Sequence, residues 1–236
     1  QVFVWVCQKI VLHYNSLEHL VFLGSMLRIH LLDILRGGSV ISMMVYHFIW
    51  DLGYFNFIEL EIVTRGLFLF FAQCVGASFI IISGISFGIL ILNDKFRKKF
   101  LKRLSVLISI CTIITSVTFF MNPNSFIFFG ILHFLATCSI ISFLLIRYIN
   151  INKYILFILF FVSSVLSVTN ANYNFPAYLS WLGLSQNVPV SNDFYPLFPW
   201  VSFYFFGLWV SEPTRKYLLK YNEKIFSLNF FDKIFM

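Results

Sequence analysis

His47 and Asp51 lie four residues apart in an otherwise apolar run, Val45-Tyr46-His47-Phe48-Ile49-Trp50-Asp51. Residues at i and i+4 share a helix face, so these side chains can meet. A carboxylate that accepts one ring N–H fixes the imidazole tautomer and leaves the other nitrogen basic and aimed. That is the orienting half of a catalytic triad, and it suits general-base catalysis or direct acceptance of an acyl group. The plainer role is a structural pair at a membrane boundary. The same run opens with Asp33 and Arg36, followed by Gly37-Gly38. Asp33, Arg36, Val40, Met44, His47 and Asp51 step by three or four residues and therefore fall along one face of one helix.

Arg36 carries a planar fork that fits phosphate or carboxylate, and its simpler role is a snorkelling charge in a salt bridge with Asp33. From Arg36 to His47 is eleven residues, roughly 16 Å of helix at the standard rise. A long ligand held at Arg36 can reach His47. Gly37-Gly38 permits close approach of a helix or a ligand. Two further sites follow. His133, in Phe128-Phe129-Gly130-Ile131-Leu132-His133-Phe134, is expected at a depth like that of His47, where two histidines can share a cavity; alone it reads as a satisfied interior residue. Asp193 precedes Phe194-Tyr195-Pro196-Leu197-Phe198-Pro199-Trp200. There the prolines interrupt structure, Tyr195 and Trp200 are ordinary interfacial anchors, and Asp193 is a candidate for binding a polar acceptor.

The elements that must position these groups are membrane spans. Hydrophobic residues make up 59% of the chain and charged residues only 11%, with a mean hydropathy of +0.85. A soluble domain carries about twice that charged fraction. The 32 phenylalanines suit a lipid-facing surface. The net charge of +7 does not mark a nucleic-acid partner, because the basic residues gather between apolar runs as topology demands. About six spans are expected, at 31–50, 67–92, 104–121, 126–146, 154–168 and 197–210, most near the roughly 20 residues a bilayer needs. Arg28 and Arg36, the run Lys95 to Arg103, Arg147 and Lys153, and Arg215 to Lys224 then occupy alternate connections on one side, the cytoplasmic one, with both termini there. The opposite connections hold Asp51, Glu59, Glu61 and Asp193, with Arg65 the basic exception. The fold class is thus an all-α, polytopic transmembrane helical bundle surrounded by membrane lipid.

Cys7, Cys74, Cys111 and Cys138 lack metal spacing, and the last three read as small buried apolar residues within spans; no metal is expected. Ser83-Gly84-Ile85-Ser86-Phe87-Gly88 reads as small-residue helix packing. Residues 1–27 form a separate N-terminal segment, of which 1–25 reads as upstream read-through or a fusion scar, with an interfacial segment as the alternative. The body covers 28–211. Residues 212–236 form a basic cytoplasmic tail whose apolar end, from Ser227, reads as the truncated start of a further span.

Four stretches in order resemble bacterial membrane proteins related to the catalytic region of heparan-α-glucosaminide N-acetyltransferase. They are Arg28-Ile29-His30-Leu31-Leu32-Asp33-Ile34-Leu35-Arg36-Gly37, Met43 to Leu52 around His47 and Asp51, Phe129-Gly130-Ile131-Leu132-His133-Phe134, and Asp193 to Trp200 with Gly207. The resemblance implies acyl transfer across a bacterial inner membrane, from cytoplasmic acetyl-CoA or another acyl-CoA to a glycan or lipid-linked sugar outside. It also implies roles. Asp33 and Arg36 would hold the donor's charged end, His47 would be the base or acyl carrier oriented by Asp51, His133 would assist, and Asp193 would position the acceptor. A transporter or proton-coupled permease subunit would use intramembrane His and Asp equally well, and a noncatalytic membrane partner is a third reading.

Overall fold

The computed structural model describes residues 30–91, 96–149, 152–169, 176–185 and 190–214. Expectations for Cys7, for 1–25, for Arg28 and Lys95, and for the tail from Arg215 onward lie outside the described residues. Among those described, the protein is all-helical. Helix α1 covers His30–Tyr54, α2 Leu60–Thr64, α3 Gly66–Ile91, α4 Phe96–Met121, α5 Ile131–Arg147 and α6 Lys153–Thr169. Helix α7 is described over 197–214. A 3₁₀ turn spans Ala177–Leu182, and one isolated parallel bridge joins Phe129 to Phe194.

The six expected spans coincide with α1 and α3 to α7. Helices α3 and α4, at 26 residues each, are long and apolar enough to cross a membrane. Helix α1 has 25 residues but carries Asp33, Arg36 and Asp51, and α5 and α6 have 17 each. Two boundaries differ from expectation. The fourth span begins at Ile131 rather than Phe126, because Gly130 is extended (φ −87, ψ −176) and the chain before it pairs with the segment around Asp193. The basic run expected as a connection lies instead on the first turns of α4, where Phe96 and Phe100 are buried and hold Arg97 to Arg103 in helix.

The ends of the helices have local causes. Helix α1 stops in a Schellman arrangement: Asn56 takes a left-handed φ of 61, its N–H reaches the Gly53 carbonyl at 3.0 Å, and Phe57 N–H reaches the Leu52 carbonyl at 2.9 Å. Asparagine tolerates that conformation better than most residues. Helix α4 stops before Pro123, which disfavours helical geometry at Asn122.

The chain divides into two compact units, one holding described residues 30–79 and the other 80–214. In the first, α2 packs against α1 and buries Val63 completely. Ser39 on α1 and Ser78 on α3 meet at 3.3 Å. The outward side of α1 is apolar, with Ile34, Ile41, Val45 and Phe48 exposed.

In the second unit the core forms around α7. Leu197, Val201, Tyr204, Phe205, Leu208 and Ser211 are buried, at the three- and four-residue spacing of one helix face. Helix α3 approaches this face backbone to backbone. A Cβ at Gly84 would collide with the Tyr204 carbonyl, one at Gly88 with Ser211, and one at Gly207 with the Ile81 carbonyl. The small-residue run expected to pack does so, which is how helices associate where lipid is as apolar as side chains. Aromatic stacking adds to it: Phe160 on Phe205 at 4.3 Å, Phe157 on Trp209 at 5.0 Å and Phe100 on Phe143 at 4.6 Å between centroids. Lys153 at the start of α6 donates to Glu212 near the end of α7 at 2.9 Å, so these two ends lie together, as alternating spans require. Elsewhere α6 turns Ile155, Ile158, Leu159, Val162, Val165 and Leu166 outward, an apolar stripe suited to hydrocarbon rather than water.

A methyl group has room at Gly38, where a Cβ would meet nothing, and none at Gly84. Gly84→Ala should lower stability by about 1–3 kcal/mol through overpacking, whereas Gly38→Ala should leave it unchanged or raise it by about 0.5–1 kcal/mol through helix propensity. Thermal unfolding of the two variants in detergent checks this. Equal melting temperatures would mean that the α3–α7 contact is looser than described.

Candidate functional site

The α1 stripe is formed as its spacing requires. Arg36 Nη1 donates to Asp33 Oδ1 at 3.1 Å, one turn apart. Asp33 and Arg36 are both half-buried, so the pair is partly screened. Three turns on, His47 is half-buried and its ring meets Tyr46 edge-on at 5.7 Å. Asp51 lies close enough for its charge to act on the His47 ring, and no hydrogen bond joins the two among the described residues. Gly37 and Gly38 have open space where a Cβ would be, so the close approach expected there is not made by any described residue. After α1 in the chain, Arg65, the basic exception, pairs with Glu61.

His133 and Asp193 belong to the second unit and lie near one end of α5. Asp193 Oδ2 accepts from Ile131 N–H at 3.0 Å, occupying the N-terminus of α5, where unpaired N–H groups and the helix dipole favour negative charge. The local residue at that cap is Gly130, which has no side chain to do this. A Cβ there would collide with the Asp193 carboxylate, so glycine makes room for a cap brought from 62 positions away in sequence. The segments are held together by Tyr195 N–H to Phe129 carbonyl at 3.1 Å, by Asn192 N–H to Ser125 carbonyl at 3.2 Å, and by Ser191 Oγ donating to Phe126 carbonyl at 3.0 Å. One Asp193 oxygen is thus engaged in the protein.

His133 stands in the first turn of α5, between Phe129 at 6.2 Å and α4. Its Nε2 lies 3.0 Å from Thr115 Oγ1, and Thr115 Oγ1 donates to the Ile127 carbonyl at 2.9 Å. A groove of about 440 Å³ opens here between α4 and α5. His133, Thr112, Thr115, Ser116 and Thr137 line it with polar groups beside Phe128 and Phe129. The hydroxyls were not singled out by sequence reading. Their one signal is the spacing Thr112, Thr115, Ser116 within an apolar span, and hydroxyls in such spans usually bond their own helix. Of the cysteines expected to be buried in spans, Cys111 and Cys138 are, and Cys74 is exposed on α3. The reason is that α3 is buried mainly from Ile80 onward, and Cys74 precedes that stretch.

Helices with apolar outward faces, backbone-close glycine packing and polar groups gathered into a stripe and a groove define a helical membrane protein. The family model for heparan-alpha-glucosaminide N-acetyltransferase, catalytic, matches residues 28–233, and the chain belongs to that family. No curated protein and no solved structure matches it.

Asp193 lies in the connection before α7, and burial pushes its carboxyl from 3.8 up to about 6, against the opposing effect of the Ile131 N–H. The folded state therefore prefers the protonated acid. Its stabilising contribution is full below the unfolded value near pH 4 and is lost as pH rises through about 6. Wild-type stability should fall by about 1–3 kcal/mol across that window. Asp193→Asn, which keeps an oxygen for Ile131 N–H and removes the charge, should flatten the profile. Thermal unfolding from pH 4.5 to 7.5 reads the difference, and parallel profiles for the two proteins would remove Asp193 as its source.

Proposed function

We propose that the protein is a membrane-embedded acyltransferase, moving an acetyl or other acyl group from acyl-CoA on the cytoplasmic side to a sugar or glycan acceptor at the outer face. The observation that carries this reading is the α1 stripe within a chain of this family. It has the Asp33–Arg36 ion pair at one end and a histidine with a nearby carboxylate roughly 16 Å further along the helix. Arg36 meets the donor's phosphates by exchanging part of its bond with Asp33 for one with phosphate, which its planar fork suits. His47 acts as general base or transient acyl carrier, and Asp51 stabilises the imidazolium that forms as it takes a proton. His133 and Asp193 contribute on the acceptor side, His133 by hydrogen bonding and Asp193 chiefly by fixing the start of α5. The bacterial inner membrane and cytoplasmic termini belong to the same reading, supported by the basic residues on the first turns of α4 and near the Lys153–Glu212 ends.

The test uses sealed membranes carrying the protein, with radiolabelled acetyl-CoA supplied on the basic side and a glucosaminide acceptor on the other. Label should reach the acceptor in wild type and fall at least about 100-fold in His47→Ala, as expected for loss of a general base, with membrane insertion unchanged. Wild-type rates in His47→Ala would remove His47 from the mechanism. Arg36→Ala should weaken donor binding more than turnover, and unchanged donor affinity would make Arg36 a topological charge. Proton-driven uptake without any acyl transfer would replace this reading with that of a permease subunit.

A further inference from the structure

Helix α4 carries six hydroxyl side chains, and four of them bond their own helix. Ser105 donates to the Lys102 carbonyl, Ser109 to Ser105, Thr112 to Ile108 and Thr118 to Ile114. Thr115 departs from this pattern. Its hydroxyl leaves the helix and touches two groups at once, the Ile127 carbonyl at 2.9 Å and His133 Nε2 at 3.0 Å. The hydroxyl has one proton, and a carbonyl only accepts. If the proton went to Nε2, two oxygens would face each other at 2.9 Å with no hydrogen between them, beside a buried Ile127 whose carbonyl has to be satisfied. If it goes to the carbonyl, Thr115 Oγ1 is left as an acceptor, and Nε2 must donate. Only the second arrangement satisfies every atom.

We infer that Thr115 is a positioning residue that holds neutral His133 as its Nε2–H tautomer, so that Nδ1 is the ring's hydrogen-bond acceptor. The groove beside it is lined by Thr112, Ser116 and Thr137, with Phe128 and Phe129 alongside. Thr112 and Thr137 have committed their protons to the Ile108 and His133 carbonyls. The oxygens of those two hydroxyls therefore present lone pairs, as Nδ1 does. A groove rich in acceptors, with the Ser116 hydroxyl also able to donate, favours a ligand that donates: a hydroxyl or a neutral amine on an uncharged, amphipathic molecule, the aromatic rings meeting its less polar face. This ligand assignment rests on the acyltransfer reading, in which it is the acceptor. The tautomer does not.

The experiment is ¹⁵N spectroscopy of histidine-labelled full-length protein in nanodiscs, with the His133 signals identified by their loss in His133→Asn. Wild type should show a protonated Nε2 and an unprotonated Nδ1. Thr115→Ser, which keeps the hydroxyl, should preserve that pattern, and Thr115→Val should shift both nitrogens to the averaged positions of exchanging tautomers. A protonated Nδ1 in wild type would overturn the inference without need of any variant, and so would an unchanged spectrum in Thr115→Val. In the transfer assay, Thr115→Val should raise the KM for the acceptor about tenfold, the effect of one hydrogen bond, with the KM for acetyl-CoA unchanged. Absence of transfer in wild type with the expected spectrum would overturn the acyltransfer reading and the acceptor assignment while leaving the tautomer standing. A rise confined to the donor KM would overturn the acceptor assignment alone.

Discussion

The scarcity of water around the helices is the constraint on which the rest of this structure depends. Where the outward faces are Ile, Leu, Val and Phe, a polar group finds its partner within the protein or has none. Ser109 and Thr112 on α4, and Ser163 and Ser164 on α6, respond by folding back onto their own carbonyls. The start of α5, with glycine at its cap, takes a carboxylate from a distant connection. The few polar groups that escape this local closure are then informative, because their partners were brought to them by the fold. Thr115, His133 and Asp193 are such groups.

The same constraint explains how the helices are held together. Burying apolar area drives little association when the surroundings are equally apolar, so contact has to come from close packing. Gly84, Gly88 and Gly207 allow the backbones of α3 and α7 to meet, and the aromatic stacks between α6 and α7 extend that contact along the helices. The core of the second unit is therefore a seam of small residues flanked by flat rings, with Tyr204 fully buried and its hydroxyl 3.5 Å from Ser139 Oγ. The seam and the groove share an element, since α5 carries both Ser139 and His133.

The two polar constellations differ in kind. The α1 stripe is made of residues three and four apart on one helix, and it exists wherever that helix forms. The His133 groove depends on α4, α5 and the paired segments at 125–130 and 190–195 all being in place. A stripe of the first kind suits an extended ligand laid along a helix. A groove of the second kind suits a compact group that must be oriented.

Much of this was legible in the sequence because periodicity and composition are local properties. The six apolar helices, the Asp33–Arg36 pair and the shared face of His47 and Asp51 follow from spacing alone, and the glycine run around Gly84 announced close packing without naming its partner. The sequence marked Asp193 as a candidate for binding an acceptor and not as the cap of α5, since the residue that needs the cap, Ile131, is 62 positions away. Nor did it separate Thr115 from the hydroxyls beside it. All of them sit at helical spacing in the same apolar span, and only the arrival of the Ile127 carbonyl and the His133 ring turns one away from its own helix. Which residues share a helix face is set by the rise and turn of the backbone. Which hydroxyl meets which ring is set by distances between helices, and those exist only once the chain has packed.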